Sequence, residues 1–198
     1  MVHREIAKYP PEFGDLEVEV VANKWYFKEN LKKDKWSVKI LFSKKEDKSP
    51  LFISDVEECI NSLNEKFDLI CVIPASEIGV YSPTLISLGN HLSKQFGIPF
   101  ENIILRIKKP IKKMTECQSA KERCKTHRGT FALSRKLNPN EHTILLLDDI
   151  KAEGDTKLIC AELLIKEGAK TIKAICLGIN TADISNSNQG SNENVSKR

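Results

Sequence analysis

The sequence predicts an α/β protein in which a mostly parallel β-sheet is flanked by helices. Two short, continuous apolar segments have the composition of strands that are buried on both faces: LICVI at 69–73, and ILLL at 144–147 within the predicted strand HTILLLDDI at 142–150. Segments with apolar residues three or four positions apart lie between such strands. This alternation is typical of parallel sheets with right-handed helical crossovers.

The first fifty residues contain two strand candidates. The segment LEVEVV at 16–21 alternates apolar and acidic residues, which is the period of a half-exposed strand. A second apolar segment, WSVKILF, follows at 36–42 after a polar stretch that would form a turn. We therefore predict an N-terminal antiparallel β-hairpin within residues 1–53, packed on the core.

Two helices and a further strand are predicted next. Ser54 and Glu57 have the spacing of a capping box, in which two side chains satisfy free N–H groups at the start of a helix. A second helix is predicted at 85–96, with Gly97 as its C-cap. The apolar segment ENIILRI at 101–107 is predicted to be a strand.

The second half of the chain continues the alternation. We predict a helix within 115–126, the buried strand at 142–150, a helix that begins near Thr156 and a strand at 171–179. These elements define a single α/β domain over residues 54–180.

The composition of the chain favours a protein of the cytoplasm. The C-terminal stretch 181–198 is polar and nearly free of large apolar residues, so we predict that it is disordered. No apolar segment approaches the ~18 residues that are needed to cross a bilayer. The first residues do not resemble a signal peptide. We therefore expect a cytoplasmic protein without a membrane partner.

The six cysteines are best interpreted as reduced thiols. No CxxC pair is present, which argues against a zinc ribbon or a dithiol redox motif. Cys117, Cys124 and His127 are an alternative metal-binding set, but their spacing does not match a strong zinc pattern.

A basic segment covers residues 106–128. Nine of its residues are Lys or Arg, against Glu116 and Glu122. Such a segment could bind a polyanion, either nucleic acid or pyrophosphate. The alternative is a solvated basic loop.

The segment ILLLDDIKAEGDT at 144–156 carries the strongest signal for a ligand. Asp148 and Asp149 follow a buried strand, and Gly154 and Thr156 precede a helix. In open α/β sheets ligands bind where strands end, and helix N-termini present free N–H groups to phosphates. Two carboxylates there can bind sugar hydroxyls or a hard cation. Alternatively, the acids are solvated, and Asp155 or Thr156 only caps the helix.

The order of these motifs resembles that of the type I phosphoribosyltransferases, and most closely the competence-protein F type. LLLDDIKAEGDT is similar to the family's loop that binds phosphoribosyl pyrophosphate (PRPP), and LICVIPASEIGV to its pyrophosphate loop. Gln118, Arg123 and GTF at 129–131 are similar to a further segment of the competence type. The resemblance covers residues 69–179.

The resemblance implies a type I phosphoribosyltransferase-like fold and a role for each matching residue. Asp148 and Asp149, the implied catalytic residues, would face the ribose hydroxyls of PRPP. Ala75 and Ser76 would lie in the pyrophosphate loop. Mg²⁺ would bridge the diphosphate and the ribose, and no residue is assigned as its direct protein ligand. The implied reaction displaces pyrophosphate by a nitrogen nucleophile. The residues implied to hold the 5′-phosphate are Ala152, Glu153, Gly154, Asp155 and Thr156.

The chain departs from the family pattern at two positions of the phosphate loop. Ala152 and Glu153 stand where the family has two threonines. Neither residue offers a hydroxyl group to a phosphate. The alternative function is therefore a non-catalytic module of the same fold that binds a nucleotide, or binds nucleic acid through residues 106–128, in DNA uptake or repair. The acceptor substrate and a homodimer both remain open at this stage.

Overall fold

A computed structural model describes residues 1–9, 15–27, 34–108, 117–151 and 155–180. It is an α/β structure with a mixed, mostly parallel sheet, helices on both faces and an N-terminal antiparallel hairpin. The strands are β1 (His3–Lys8), β2 (Glu17–Ala22), β3 (Trp25–Tyr26), β4 (Leu69–Val72), β5 (Ile104–Arg106), β6 (Phe131–Leu133), β7 (Thr143–Lys151) and β8 (Thr171–Asn180). The helices are α1 (Lys35–Ser43), α2 (Ile53–Leu63), α3 (Pro83–Phe96), α4 (Ala120–His127) and α5 (Asp155–Lys166), with a short 3₁₀ helix at Ser49–Leu51.

The main sheet has the strand order β1-β2-β8-β7-β4, and β3 adds a short parallel pairing to β8. Among the described strands of this sheet, β1 and β2 are the one antiparallel pair; the pairs β2–β8, β8–β7 and β7–β4 are parallel. The N-terminal hairpin is therefore part of the same sheet as the α/β core. No helix in the described ranges is both long and apolar enough to span a membrane.

Two hydrophobic clusters cover the two faces of the sheet. One contains Ile144 and Leu146 together with the buried side of α5. The other contains Leu145 and Leu147 together with residues of α1, α2 and α3. Consecutive residues of β7 thus alternate between the faces, as strand geometry requires. Full burial of each such side chain stabilises the fold by about 1.5–3 kcal/mol.

The hairpin pairs differently from our prediction. Residues 16–21 do form a strand, but β2 pairs with β1, in the register Glu5 with Val20 and Lys8 with Glu17. The segment 36–42, predicted as the second strand, is helix α1.

Helix α1 is explained by its cap and its buried face. Asp34 accepts a hydrogen bond of 2.7 Å from the backbone N–H of Ser37, which satisfies a donor that the first turn leaves free. Ser37 and Ile40, three residues apart, are fully buried on one side of the helix. Leu41 and Phe42 are exposed, so the buried face of this helix does not coincide with its apolar residues, and the apolar pattern alone did not indicate a helix.

Both helices of the central part are confirmed, with one correction at an N-terminus. Helix α2 begins at Ile53 with Phe52 at the N-cap, and no side chain caps it, so the predicted capping box of Ser54 and Glu57 is wrong. Helix α3 ends at Phe96, and Gly97 takes a left-handed conformation with φ of 69°, as predicted.

The strand predicted at 101–107 is shorter than expected and leaves the main sheet. The chain first runs beside β4, where the N–H of Ile70 donates to the carbonyl of Pro99 (2.8 Å) and that of Glu101 to Ile70 (3.1 Å). Strand β5 then pairs antiparallel with β6, a strand that we did not predict. The predicted helix within 115–126 is α4, while the tail 181–198 lies outside the described residues.

Candidate functional site

The candidate site lies at the carboxyl edge of β4 and β7. These strands are parallel neighbours in which Val72 is paired with Leu147, and the N–H of Ile73 donates to the carbonyl of Leu147 (3.0 Å). The loop after β4, which contains Ala75 and Ser76, therefore leaves the sheet beside the acids of β7. Strand ends of this kind are where open α/β sheets bind ligands.

Asp148 lies on the face of the sheet that α5 covers. Its Oδ2 accepts a hydrogen bond of 2.5 Å from Lys157 Nζ, which also donates to the carbonyl of Ile150 (3.1 Å). Its Oδ1 accepts from the N–H of Asp149 (2.9 Å). The Lys157 side chain is 3% exposed and that of Asp148 is 14% exposed. The acid thus has a buried lysine as its counter-ion.

Burial and charge act in opposite directions on this pair. Burial raises the pKa of Asp148, and the Lys157 ammonium opposes that rise. Burial alone would lower the pKa of Lys157, but the carboxylate of Asp148 outweighs it, so the pKa of Lys157 lies above its ordinary value. Lys157 therefore carries its proton at neutral pH.

Asp149 lies on the opposite face of the sheet. Its Oδ2 accepts from Lys44 Nζ (2.5 Å), and its Oδ1 from the N–H of Ile150 (2.7 Å). Lys44 directly follows α1, and its side chain is 45% exposed, against 21% for Asp149. Burial acts to lower the pKa of Lys44, but Asp149 raises it above its ordinary value. The two neighbouring acids are thus paired with lysines from opposite layers of the fold.

The loop after β4 is a closed turn that β5 holds at both ends. The N–H of Ala75 donates to the carbonyl of Val80 (2.9 Å), which closes the turn. Arg106 Nε donates to the carbonyl of Ala75 (2.6 Å), and the hydroxyl of Tyr81 donates to that of Ile104 (2.7 Å). Residues between these anchors, including Ser76, are exposed.

The structure describes only some of the residues predicted to hold the 5′-phosphate. Ala152, Glu153 and Gly154 lie outside the described residues. Asp155 is the first residue of α5, and Thr156, next to it in the first turn, is half-buried. Three residues separate the end of β7 from the start of α5, so the free N–H groups of α5 belong to the same edge of the sheet.

Three cations near the acids and the loop were not predicted as site residues. Lys44 comes from a segment distant in sequence, and no local pattern links it to the site. Arg106 belongs to the basic segment for which pyrophosphate was one expected ligand, but it was not singled out there. Lys157 did carry a signal, because it precedes Cys160, Ala161 and Leu164 at the spacing of one helical face. All four residues are buried. The helical period alone could therefore have placed Lys157 inside.

In the described part of the basic segment 106–128, some basic side chains contact other residues of the fold and others are exposed. Arg106 is buried, and Arg128 forms two hydrogen bonds of 3.0 Å to the carboxylate of Glu162. Lys108 and Lys125 are exposed.

No set of three His, Cys, Asp or Glu side chains gathers around a common point in the described ranges. Cys117 and His127 are buried there, whereas the side chain of Cys124 is outside the described residues. Asp148 and Asp149 each hold a lysine, so they do not form a direct ligand set for Mg²⁺.

Comparisons with known proteins do not identify a family for this chain. No model of a known protein family matches it, and no curated protein is significantly similar to it.

Proposed function

We propose that this chain is a phosphoribosyltransferase-like protein that binds PRPP or a related phosphorylated ribose at the carboxyl edge of β4 and β7. The observation that carries the proposal is the parallel pairing of Val72 with Leu147. It brings the loop of Ala75 and Ser76 beside Asp148 and Asp149, while α5 begins just after β7. A phosphorylated sugar needs this combination of acceptors for hydroxyls and donors for phosphate oxygens.

Each part of the edge has a role in this proposal. Asp149, the more exposed acid, accepts hydrogen bonds from the ribose hydroxyls, and Lys44 balances its charge. The first turn of α5 binds the 5′-phosphate through backbone N–H groups. The loop that starts at Ala75 holds the diphosphate, and Mg²⁺ travels with that group.

The proposed reaction is displacement of pyrophosphate from the anomeric carbon by a nitrogen nucleophile. The transition state of such a reaction has positive charge on the sugar ring, so nearby carboxylates lower its energy. Asp148 and Asp149 are the acids in position to do this. Binding and orientation of PRPP supply the remainder of the rate enhancement.

Calorimetric titration with PRPP, with and without Mg²⁺, tests the binding step. Asp149→Asn should weaken PRPP binding by about tenfold or more, the value of a charged hydrogen bond. Glu17→Gln is the matched control, because Glu17 is an exposed acid of β2 paired with Lys8 on the surface. Absence of binding to the wild-type protein at millimolar PRPP would contradict the proposal.

The same experiments separate a transferase from a binding module. Release of pyrophosphate from PRPP in the presence of ammonia or simple amines supports transfer, whereas binding without release supports the non-catalytic alternative. The exposed Lys108 and Lys125 favour nucleic acid as a second ligand of such a module. Labelled DNA and RNA whose mobility the protein does not change at low salt would remove that alternative.

A further inference from the structure

Arg106 is a buried arginine at the end of β5. It is 6% exposed. Its Nε donates to the carbonyl of Ala75, and its Nη1 lies 3.5 Å from the hydroxyl of Thr130. The guanidinium carbon lies 4.2 Å from the centre of the Phe131 ring. Two of the five N–H donors of the guanidinium therefore have partners, and the second of these contacts is long.

Arg106 has no acidic partner among the described residues. Three other arginines with described side chains, Arg4, Arg128 and Arg135, each form ion pairs with glutamates. A cation removed from water without a counter-ion is costly, and a carbonyl and an aromatic ring balance it only in part. Burial accordingly lowers the pKa of Arg106. The arrangement leaves a fixed positive charge for which the described residues supply no negative one.

This charge lies directly behind the loop that follows β4. Ile104 and Arg106, two residues apart on β5, contact the two ends of the loop through Tyr81 and Ala75. The loop between these anchors is exposed and contains the acid Glu77 but no basic residue. Arg106 is thus a buried cation that is hydrogen-bonded to the loop on which an anion would bind.

We propose that Arg106 is a positioning residue for a diphosphate bound at the loop 75–80. It holds the Ala75 peptide in place and balances the charge of the diphosphate from behind the loop. The inference rests on the proposed function, since the diphosphate would be that of PRPP. Phosphate oxyanions are the expected class of ligand, because a guanidinium complements them in charge and in hydrogen-bonding geometry.

Calorimetry at low salt with three separate probes tests the role of Arg106: inorganic pyrophosphate, PRPP and ribose 5-phosphate, which lacks the diphosphate. Arg106→Gln keeps a donor for Ala75 but removes the charge, whereas Arg106→Lys keeps the charge but loses the planar fork. Arg128→Gln is the control, because it removes one positive charge that already has an acid, Glu162.

The expected result is selective. Arg106→Gln should weaken pyrophosphate and PRPP binding by about tenfold or more, because it removes a nearby fixed positive charge. Arg106→Lys keeps that charge and should weaken binding by only about threefold. Ribose 5-phosphate lacks the diphosphate whose charge Arg106 balances. It should therefore bind both variants within about twofold of the wild-type affinity. Arg128→Gln should leave all three affinities unchanged.

Three results would overturn the inference. They are wild-type pyrophosphate affinity in Arg106→Gln, an equal loss in Arg128→Gln, and a parallel loss of ribose 5-phosphate. If circular dichroism shows that Arg106→Gln does not fold, the test uses Arg106→Lys instead. Its loss of affinity for pyrophosphate is then compared with its loss of affinity for ribose 5-phosphate. Wild-type protein that binds pyrophosphate but neither ribose compound would contradict the proposed function and leave the role of Arg106 standing.

Discussion

Lys157 Nζ lies 2.5 Å from Asp148 Oδ2, and both side chains are almost completely withdrawn from solvent. The neighbouring acid, Asp149, pairs at the same distance with a lysine that is 45% exposed. The two acids stand side by side in the sequence, but their charges have very different surroundings.

We predict that Asp148→Asn destabilises the protein far more than Asp149→Asn. The first change leaves Lys157 buried without a counter-ion, which costs about 3–5 kcal/mol. The second breaks a partly exposed pair, worth about 1 kcal/mol or less. Unfolding in urea, followed by circular dichroism, measures both free energies. Equal losses in the two variants would mean that the Lys157 pair is not buried as described.

The same pair should show strong coupling in a double-mutant cycle. Lys157→Met alone leaves Asp148 with its backbone contact but without the ammonium, so the free energy of unfolding should fall by about 3 kcal/mol. In Asp148→Asn/Lys157→Met no charge is left unpaired. The loss in the double variant should therefore be smaller than the sum of the single losses. Additive losses would show that the two side chains act independently.

The stability of the fold should fall in acid through Glu141. Its carboxylate accepts hydrogen bonds from Arg135 (2.7 and 2.8 Å) and from the N–H of Asn138 (2.6 Å). Arg135 above all holds the pKa of Glu141 below its usual value of 4.5. The unfolded chain therefore takes up a proton near pH 4.5, before the folded protein does.

This difference fixes the sign of the pH effect. The stabilisation by Glu141 is complete above pH 4.5, and it is lost as the pH falls through the lower pKa of the folded state. Urea titrations at pH 6 and at several values below 4.5 should show a smaller decline in Glu141→Gln than in the wild type. Parallel declines would assign the acid sensitivity to other groups.

Gly178→Ala should disturb the layer that carries Lys44. A Cβ added at Gly178 of β8 would lie 2.9 Å from the Cδ1 atom of Ile40 and 3.1 Å from the Cβ atom of Tyr26. The Ile40 side chain must turn aside, and because Tyr26 Cβ is fixed to its backbone, β3 or β8 must also shift slightly. Overpacking of this kind costs about 1–3 kcal/mol.

Thermal unfolding measures the loss in Gly178→Ala, and Gly129→Ser gives an informative contrast. At Gly129 no atom lies within 4 Å of an added Cβ, but φ is 77°, which strains other residues. Of these two positions, only Gly178 brings an added Cβ against neighbouring atoms. Wild-type stability in Gly178→Ala would contradict the close approach of α1 to β8.

Four thiols should react only when the protein unfolds. Burial raises the pKa values of Cys59 and Cys71 to about 12, and it also raises those of Cys160 and Cys176. The thiolate is the reactive form, so these groups are protected both by their protonation and by their surroundings. Titration with a disulfide reagent at pH 8, in native buffer and then in guanidinium chloride, should reveal them in the second step alone.

Local patterns in the sequence predicted the strands and helices that form the site. The strand predicted at 142–150 is β7, and the helix predicted after it is α5. Both were predictable because their apolar residues follow patterns within a few neighbouring positions. Helix α1 was predicted wrongly as a strand, although Asp34 three residues before Ser37 was a capping signal. Strand β1 has mostly polar residues, since it is an edge strand with one residue of its six buried, and so it gave no apolar pattern.

Contacts across the fold could not be predicted in the same way. The sequence indicated Asp148 and Asp149, but the lysines that pair with them depend on how α1 and α5 pack against opposite faces of the sheet. The link between Arg106 and Ala75 joins residues 31 positions apart and requires β5 to leave the main sheet. Such pairings follow from tertiary structure, which residue spacing does not encode.

The position of β8 in the sheet has a consequence for synthesis of the protein. The strand made last among those described lies in the middle, between β2 and β7. Until residues Thr171–Asn180 leave the ribosome, β2 and β7 each present an unpaired edge, which is a template for association with other chains. The nascent chain should therefore depend on chaperones until its final strand is inserted, and a translational pause before that strand should increase aggregation.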